Sequence, residues 1–405
     1  MTTYSIPTHI EIGPQSIEKL PELLKETGKR VLLVHGHRPV EDGLVQKVRR
    51  ILNEAGFPHS NMGQILPNPK YGSVKRGIKI ARKDHCDIIL ALGGGSTLQC
   101  AKAIALGLNY QGDVWDFWTG KKTPDHVSPV ASILTNPASG AELNDGCTLV
   151  RKGEQKTIHN EKLECRFAIL DPELSVLPFY PTMCQSFDLF VHLFSAALHD
   201  SDCPLDLDLM LMKELFSCTE KLETNLQDIE ARNSLFWVGL MSHSLIQAPS
   251  SDCAELADKM AFRYSLTSGS AASALFPAWC DQVLKDNPKR LAEIGQRVFE
   301  DPDLDAGKTI QKFRDKIEKM EMALSIPQTG LVVDNDELMK LADNRIQKEM
   351  LLASNARNEK KKKSADQTDV NALPEPSSSE SSSETKPDQP THEAPMHKDP
   401  LEFVS

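Results

Sequence analysis

Three consecutive glycines and a serine, Gly93-Gly94-Gly95-Ser96, join two stretches of opposite grammar. Before them runs the apolar segment Ile88-Ile89-Leu90-Ala91-Leu92; after them Leu98, Ala101, Ile104 and Ala105 fall at helical spacing. The first reads as a buried parallel strand and the second as a helix. Glycines at such a junction let the backbone turn sharply and approach a ligand. Unpaired N–H groups and the positive end of the helix dipole then face that ligand, which suits a phosphate. A Gly-rich strand-to-helix turn is also common as a plain tight turn, so the spacing alone leaves both readings open. A second candidate stretch, 135–144, carries Thr135, Asn136, Ser139 and Asn144 directly after the apolar segment 129–134. Small polar residues at the carboxyl end of a strand are where an open α/β sheet binds its ligand.

The elements that must position these residues follow a regular alternation. Strands are expected over His9-Ile10-Glu11-Ile12 and over 30–34, with helices over 16–25, 41–55 and 74–83. Segment 129–134 and Phe167-Ala168-Ile169-Leu170 supply further strands. Strands alternating with helices at this spacing predict a parallel sheet covered by helices. The strand at 30–34 ends at His35-Gly36-His37-Arg38. In a dinucleotide fold such an end lies near the adenosine ribose, so Arg38 either meets a 2′-phosphate, favouring NADP, or is a solvated loop arginine. From about residue 181 helical periodicity dominates through 352. The expected organisation is therefore an α/β domain over 1–180, an all-helical domain over 181–353 and a disordered tail over 354–405. Residues 364–405 carry nine acids against two lysines, a net of −7, with eight serines. Such a composition cannot bury enough apolar surface to offset its ordering entropy. The tail reads as a spacer or as a docking or phosphorylation segment, the serines 377–379 and 381–383 lying beside Glu380 and Glu384.

Composition narrows the function classes. The 405 residues carry a formal net charge of −11, which argues against a nucleic-acid partner. No apolar run approaches the ~18 residues that span a bilayer, so no membrane partner is expected. The start of the sequence has neither a basic region nor an apolar core, so no signal peptide is expected. Nine cysteines occur without a CxxC pair, a pattern that fits reduced thiols and a cytoplasmic location.

Four ordered motifs resemble a known family. Gly93-Gly94-Gly95-Ser96 with Ala101-Lys102 is similar to a GGGSxxDxAK signature, 135–144 to the family's second loop, and 167–178 to an FxxLDPxxxxxLP segment. The stretch Gln185-Ser186-Phe187-Asp188-Leu189-Phe190-Val191-His192 follows at the family's distance. Over roughly residues 4–350 the chain thus resembles the group III, iron-dependent alcohol dehydrogenases, nearest their butanol-dehydrogenase-like branch. The resemblance implies an N-terminal Rossmann-like α/β domain with a parallel sheet followed by an all-α C-terminal domain, the dehydroquinate synthase-like architecture. It implies NAD or NADP as cofactor, with the pyrophosphate on Gly94, Gly95 and Ser96. Thr135, Asn136 and Ser139 would line the adenine and ribose side, Gln99 would stand at the signature's Asp, and Arg166 at a lysine near the nicotinamide ribose. It also implies one divalent metal, iron or zinc, acting as a Lewis acid on a small alcohol or aldehyde.

The departures fall on the metal. Asp188 and His192, at i and i+4, share a helix face and match two of the family's four ligands. Ala254 and Ser268 stand where two metal histidines belong, and Asp258 stands at the histidine often drawn as a proton relay. The sequence has no histidine between His243 and His392, so no realignment restores them. Asp258, Glu255, Asp252 and His243 are the candidate substitutes, and an oxygen-rich set would suit magnesium or manganese. Without such substitution, stable iron or zinc binding is not expected, and no catalytic residue is assigned. Two functions remain: an NAD(P)-dependent alcohol/aldehyde oxidoreductase, or a cofactor-binding pseudoenzyme acting as regulatory or structural partner of an active paralogue. A homodimer is expected in either case.

Overall fold

Six strands lie side by side in one parallel sheet in the computed structural model, which describes residues 6–199, 206–246 and 248–366. They are β1 (His9–Ile12), β2 (Val31–Gly36), β3 (His59–Ile65), β4 (Ile88–Gly93), β5 (Val130–Leu134) and β8 (Phe167–Leu170), ordered β1-β8-β5-β4-β2-β3. Between β5 and β8 the chain forms an antiparallel hairpin, β6 (Gly146–Arg151) and β7 (Glu154–His159). Helices α1 (Leu20–Thr27), α2 (Arg38–Glu41), α3 (Leu44–Glu54), α4 (Tyr71–Lys83) and α5 (Gly95–Leu108) connect the strands. Every residue of β4 is buried, as its unbroken apolar run requires. From β2 the chain winds outward to β3, then returns to the other side of β2 for β4, β5 and β8. The carboxyl ends of β2 and β4 therefore flank the point where the winding reverses, the place where open α/β sheets take their ligands. The 93–96 turn sits at that point.

Helix α5 is buried along nearly its whole circumference because the sheet, α4 and the hairpin all cover it. Gly77 of α4 and Gly107 of α5 permit the close approach: a Cβ on Gly77 would stand 2.3 Å from Ile104, and one on Gly107 2.3 Å from Ile78. Burying each such isoleucine contributes about 1.5–3 kcal/mol.

The expected strands and connecting helices are present, with shifts that have local causes. The helix expected over 41–55 is split into α2 and α3, since Gly43 adopts a left-handed conformation (φ 72°) between them. Strand β3 and the hairpin were not expected. β3 is an edge strand with two buried positions of seven, and β7 has none, so neither carries an apolar run.

The helical half comprises α6 (Phe179–Leu198), α7 (Leu207–Thr224), α8 (Ile229–Leu245), α9 (Asp252–Tyr264), α10 (Ser268–Asp286), α11 (Pro288–Val298), α12 (Ala306–Lys319), α13 (Asn335–Met339) and α14 (Arg345–Asp366). A cluster of aromatic rings forms its centre, with Phe190 5.2 Å from both Phe276 and Phe313. Among the described residues no helix is long and apolar enough to cross a membrane.

One boundary is corrected. A disordered tail was expected from residue 354, yet α14 runs through it. Ser354 is fully buried: its hydroxyl donates to the Ala274 carbonyl (2.7 Å) and accepts from the Ile326 N–H (3.1 Å). Met350 and Leu351 are buried beside it. The polar composition downstream masked one more turn of packed helix. Residues 367–405, the rest of the expected tail, lie outside the described residues.

Ser354→Ala leaves a buried N–H and a buried carbonyl without their partner and is expected to cost about 1–3 kcal/mol. Thermal melts should show a lowered Tm for this variant and a larger drop for a chain ending at Leu352. Unchanged melting of both would contradict the packed helix end.

Candidate functional site

Helix α5 starts after Gly94, which offers no capping side chain; the Thr97 and Leu98 N–H groups donate to the Gly94 carbonyl (3.1 and 3.2 Å), while those of Gly95 and Ser96 have no intrahelical partner. Gly93 takes φ +149°, a conformation open to glycine, and its missing Cβ leaves room for the Thr97 hydroxyl. The opposite wall is the 135–146 loop. Thr135 N–H donates to the Gly93 carbonyl (3.1 Å), tying the loop's start to the turn. A Cβ on Gly94 would come within 3.4 Å of Asn136, and one on Gly95 within 2.9 Å of Ser139. The Asn136 side chain accepts from the Ala138 N–H (2.8 Å), and Ser96 Oγ accepts from the Asn68 N–H (3.4 Å). Free helix-terminal N–H groups and a turn that tolerates no side chain form a cradle that fits a pyrophosphate. The residues present therefore fit the pyrophosphate of a dinucleotide.

Next to this wall lies a cavity of about 420 Å³. Asn136, Ala138 and Ser139 line it from the loop; Asp188, His192, His243, Asp258 and Ser268 line it from the helical half. Asp188 and His192 do share one face of α6, as their spacing predicts. Ser268 Oγ donates to Asp258 Oδ1 (3.3 Å), and the same hydroxyl and the Gly269 N–H also bond Asp188. Burial pushes the Asp188 carboxyl up to about 7, Asp258 adding to the rise while Ser268 and Gly269 oppose it. Burial likewise raises Asp258. The rings of His192 and His243 lie 4.6 Å apart. His192 Nε2 donates to the Ser242 carbonyl (3.1 Å) and His243 Nε2 to the Ala138 carbonyl (2.9 Å). Burial lowers both, His243 to about 4 with His192 contributing.

This donor set does not fit a catalytic metal. Among the described residues no group of three or more His, Cys, Asp or Glu side chains is disposed to hold one. Ala254 and Ser268 both line the cavity, one offering no donor and the other a hydroxyl engaged by two carboxyls. Of the candidate substitutes, Asp258 and His243 reach the cavity. Asp252 and Glu255 do not line it: Asn344 Nδ2 donates to Asp252 (2.8 Å) and Gln347 Nε2 to Glu255 (3.0 Å). Catalytic zinc sites use three protein ligands, and the pair Asp188 and His192 falls short of that.

Two expected cofactor residues are corrected. Arg166 stands at the amino end of β8, where its N–H donates to the Val130 carbonyl (2.8 Å) and its side chain is exposed. The cleft lies at the carboxyl ends, about 13 Å away along a four-residue strand. Gln99 lies one turn beyond the cradle, and its side-chain oxygen accepts from the Thr148 N–H (2.8 Å), joining the hairpin to α5. Arg38 pairs with Asp42 (3.1 Å) at the end of β2. Lys102, the lysine of the GGGSxxDxAK-like signature, is wholly buried beneath the 135–146 loop and was given no role of its own. Its place in that signature, within the run Cys100-Ala101-Lys102-Ala103-Ile104-Ala105, was the available signal.

Comparison with known proteins gives concordant findings. The model of the iron-containing alcohol dehydrogenase family matches residues 7–172, and that of the family's C-terminal domain matches 182–366. The probable NADH-dependent butanol dehydrogenase 1 of Bacillus subtilis is 31% identical over 360 residues, covering 84% of this chain and 92% of its own. The NADPH-dependent aldehyde reductase of Escherichia coli is 34% identical over 194 residues, 46% of this chain and 49% of its own. The crystal structure of NADH-dependent butanol dehydrogenase A from Thermotoga maritima superposes with a TM-score of 0.80 at 22% identity, covering 88% of this chain and 98% of that one.

The Asp188 carboxyl gives a pH signature that separates a metal-free cavity from one that holds a cation. Its raised value means that the folded chain holds a proton which the unfolded chain has released above about pH 4. The favourable term is therefore lost as pH rises toward 7. Asp188→Asn is expected to stabilise the fold at about pH 8 by on the order of 2 kcal/mol, seen as a raised Tm, with the gain fading toward pH 4. Melting curves across that range check it; a metal-held Asp188 would give a lowered Tm at pH 8 instead.

Proposed function

The chain belongs to the iron-containing alcohol dehydrogenase family, and from that premise we propose that it binds NAD(P)(H) but has lost the metal-dependent alcohol chemistry. The observation that carries this reading is the contrast between two halves of one crevice. The uncapped α5 terminus and the cradle of Gly94 and Gly95 against Asn136 and Ser139 are intact. Across the cavity, Ala254 and Ser268 leave Asp188 and His192 as an incomplete ligand pair.

A bound nicotinamide would supply or accept a hydride. The chain's own residues account for what surrounds it. The α5 N–H groups hold the negative charge of the pyrophosphate without a buried counter-cation. Asn136 and Ser139 close the opposite side, and His243, bonded to the Ala138 carbonyl, ties that loop to α8. What is missing is a group to polarise an alcohol or aldehyde oxygen with the strength of a metal ion, a contribution of several kcal/mol to the transition state. The role that remains is that of a nucleotide-binding partner, acting through a second copy or a catalytically competent paralogue. The family's usual activity on a small alcohol or aldehyde is the second reading, favoured by the 31% identity to a probable butanol dehydrogenase.

Fluorescence titration with NADH and NADPH, with and without EDTA, tests the proposal. Saturable binding that is indifferent to the chelator is expected, with no turnover of butanol or butyraldehyde when iron or zinc is added. Gly95→Val, whose side chain would strike Ser139, is expected to weaken binding by about a hundredfold or more. Metal-stimulated turnover would establish the second reading; absence of binding would remove both.

A further inference from the structure

Lys102 projects from the face of α5 that turns away from the solvent, and its whole side chain is buried. An isolated ammonium in such a place is expensive, and it persists only where hydrogen bonds replace water. Here the replacement is close to complete. Lys102 Nζ donates to the carbonyls of Ala141 (2.7 Å), Asn144 (2.5 Å) and Gly146 (3.2 Å), with the Asn144 side-chain oxygen at 3.4 Å. Three donors meet three backbone acceptors, all from one short segment. The buried Glu142 carboxyl on the same segment favours the ammonium when ionised, although burial pushes that carboxyl up to about 7.

That segment is the downstream base of the cleft wall. Its upstream end is anchored where Thr135 N–H meets the Gly93 carbonyl, and its middle where His243 meets the Ala138 carbonyl. Within the segment, Asn144 bonds the Gly140 carbonyl (3.0 Å) and the Gly146 N–H (2.9 Å), so it moves as a unit. Gly140, at φ +56°, leaves no space for a Cβ against His243. The loop therefore has little freedom except through its base, where the Lys102 ammonium gathers three carbonyls and the Thr8 hydroxyl donates to a fourth, that of Glu142 (2.8 Å).

We propose that Lys102 is a positioning residue for the dinucleotide cleft: by gathering the carbonyls of Ala141, Asn144 and Gly146, it holds Asn136 and Ser139 against Gly94 and Gly95 and so sets nucleotide affinity. The assignment rests on the NAD(P) reading of that cleft. A methionine of similar length would fill the space but leave three inward-facing carbonyls unpaired, and the loop would swing toward water to satisfy them. The cradle at Gly94 and Gly95 would survive with its opposite wall displaced.

The test compares Lys102→Met with the unmodified protein and with Ser354→Ala, a destabilising change at a residue that lines neither the cradle nor the cavity. NADPH affinity is measured by fluorescence well below every Tm, and hydrogen exchange is followed in peptides covering 136–147. The expected result is at least about tenfold weaker NADPH binding in Lys102→Met with faster exchange in those peptides. Ser354→Ala should bind as the unmodified protein does despite its lower Tm. Unchanged affinity in a folded Lys102→Met overturns the assignment and leaves the lysine a purely structural group. If Lys102→Met does not fold, Asn144→Ala, an exposed change in the same segment, carries the test with a loss of about threefold expected; unaltered binding there overturns the assignment equally. An unmodified protein that binds neither NADH nor NADPH overturns the cleft reading and this assignment together.

Discussion

A helix that begins on glycine at the carboxyl edge of a parallel sheet leaves N–H groups without partners, and much of this molecule is arranged around the start of α5. The sheet order places that start where the winding reverses. The 135–146 loop closes over it, held at three places by backbone carbonyls: Gly93 accepts from the loop, while Ala138 and the 141–146 base accept from His243 and Lys102. Side chains from both halves of the chain thus converge on one loop, and the loop's position relative to Gly95 defines the crevice. Small residues are required there, because a single Cβ on Gly95 would lie 2.9 Å from Ser139.

The two halves of the crevice depend on different physics. Dinucleotide binding rests on backbone N–H groups, helix dipole and glycine geometry, none of which needs a particular ionisable side chain. A metal centre needs three or four donors aimed at one point. In this chain the remaining polar groups have turned to one another. Ser268 bridges Asp188 and Asp258, and the two histidines donate to main-chain carbonyls. Burial pushes the Asp188 carboxyl up to about 7, whereas a cation beside it would hold it low.

Much of this was legible in the sequence, for reasons that are particular to each element. β4 and α5 announced themselves because a central strand and its helix are apolar throughout, and glycine marked the junction. Asp188 and His192 were placed on one face by helical spacing, and both line the cavity. β3 and β7 were silent, since they bury too few positions to carry a pattern, and β6, with four buried positions of six, is a short run without a partner that the sequence announces. The end of α14 was hidden because burial of Ser354 depends on Ala274 and Ile326, distant in sequence. Arg166 was misplaced by a motif that gives neighbourhood along the chain and not the end of the strand it occupies. Lys102 escaped because the acceptors that justify its burial lie some forty residues away and belong to the backbone, which sequence patterns do not record.

The most direct measurement of the account is the metal content of protein purified under anaerobic conditions and then equilibrated separately with iron, zinc and manganese, read by mass spectrometry after gel filtration. Substoichiometric metal in all three samples, in protein that still binds NADPH, is the predicted result. One tightly held ion per chain, lost in Asp188→Asn or His192→Ala, would show that the cavity has rebuilt a metal centre and would contradict the central claim.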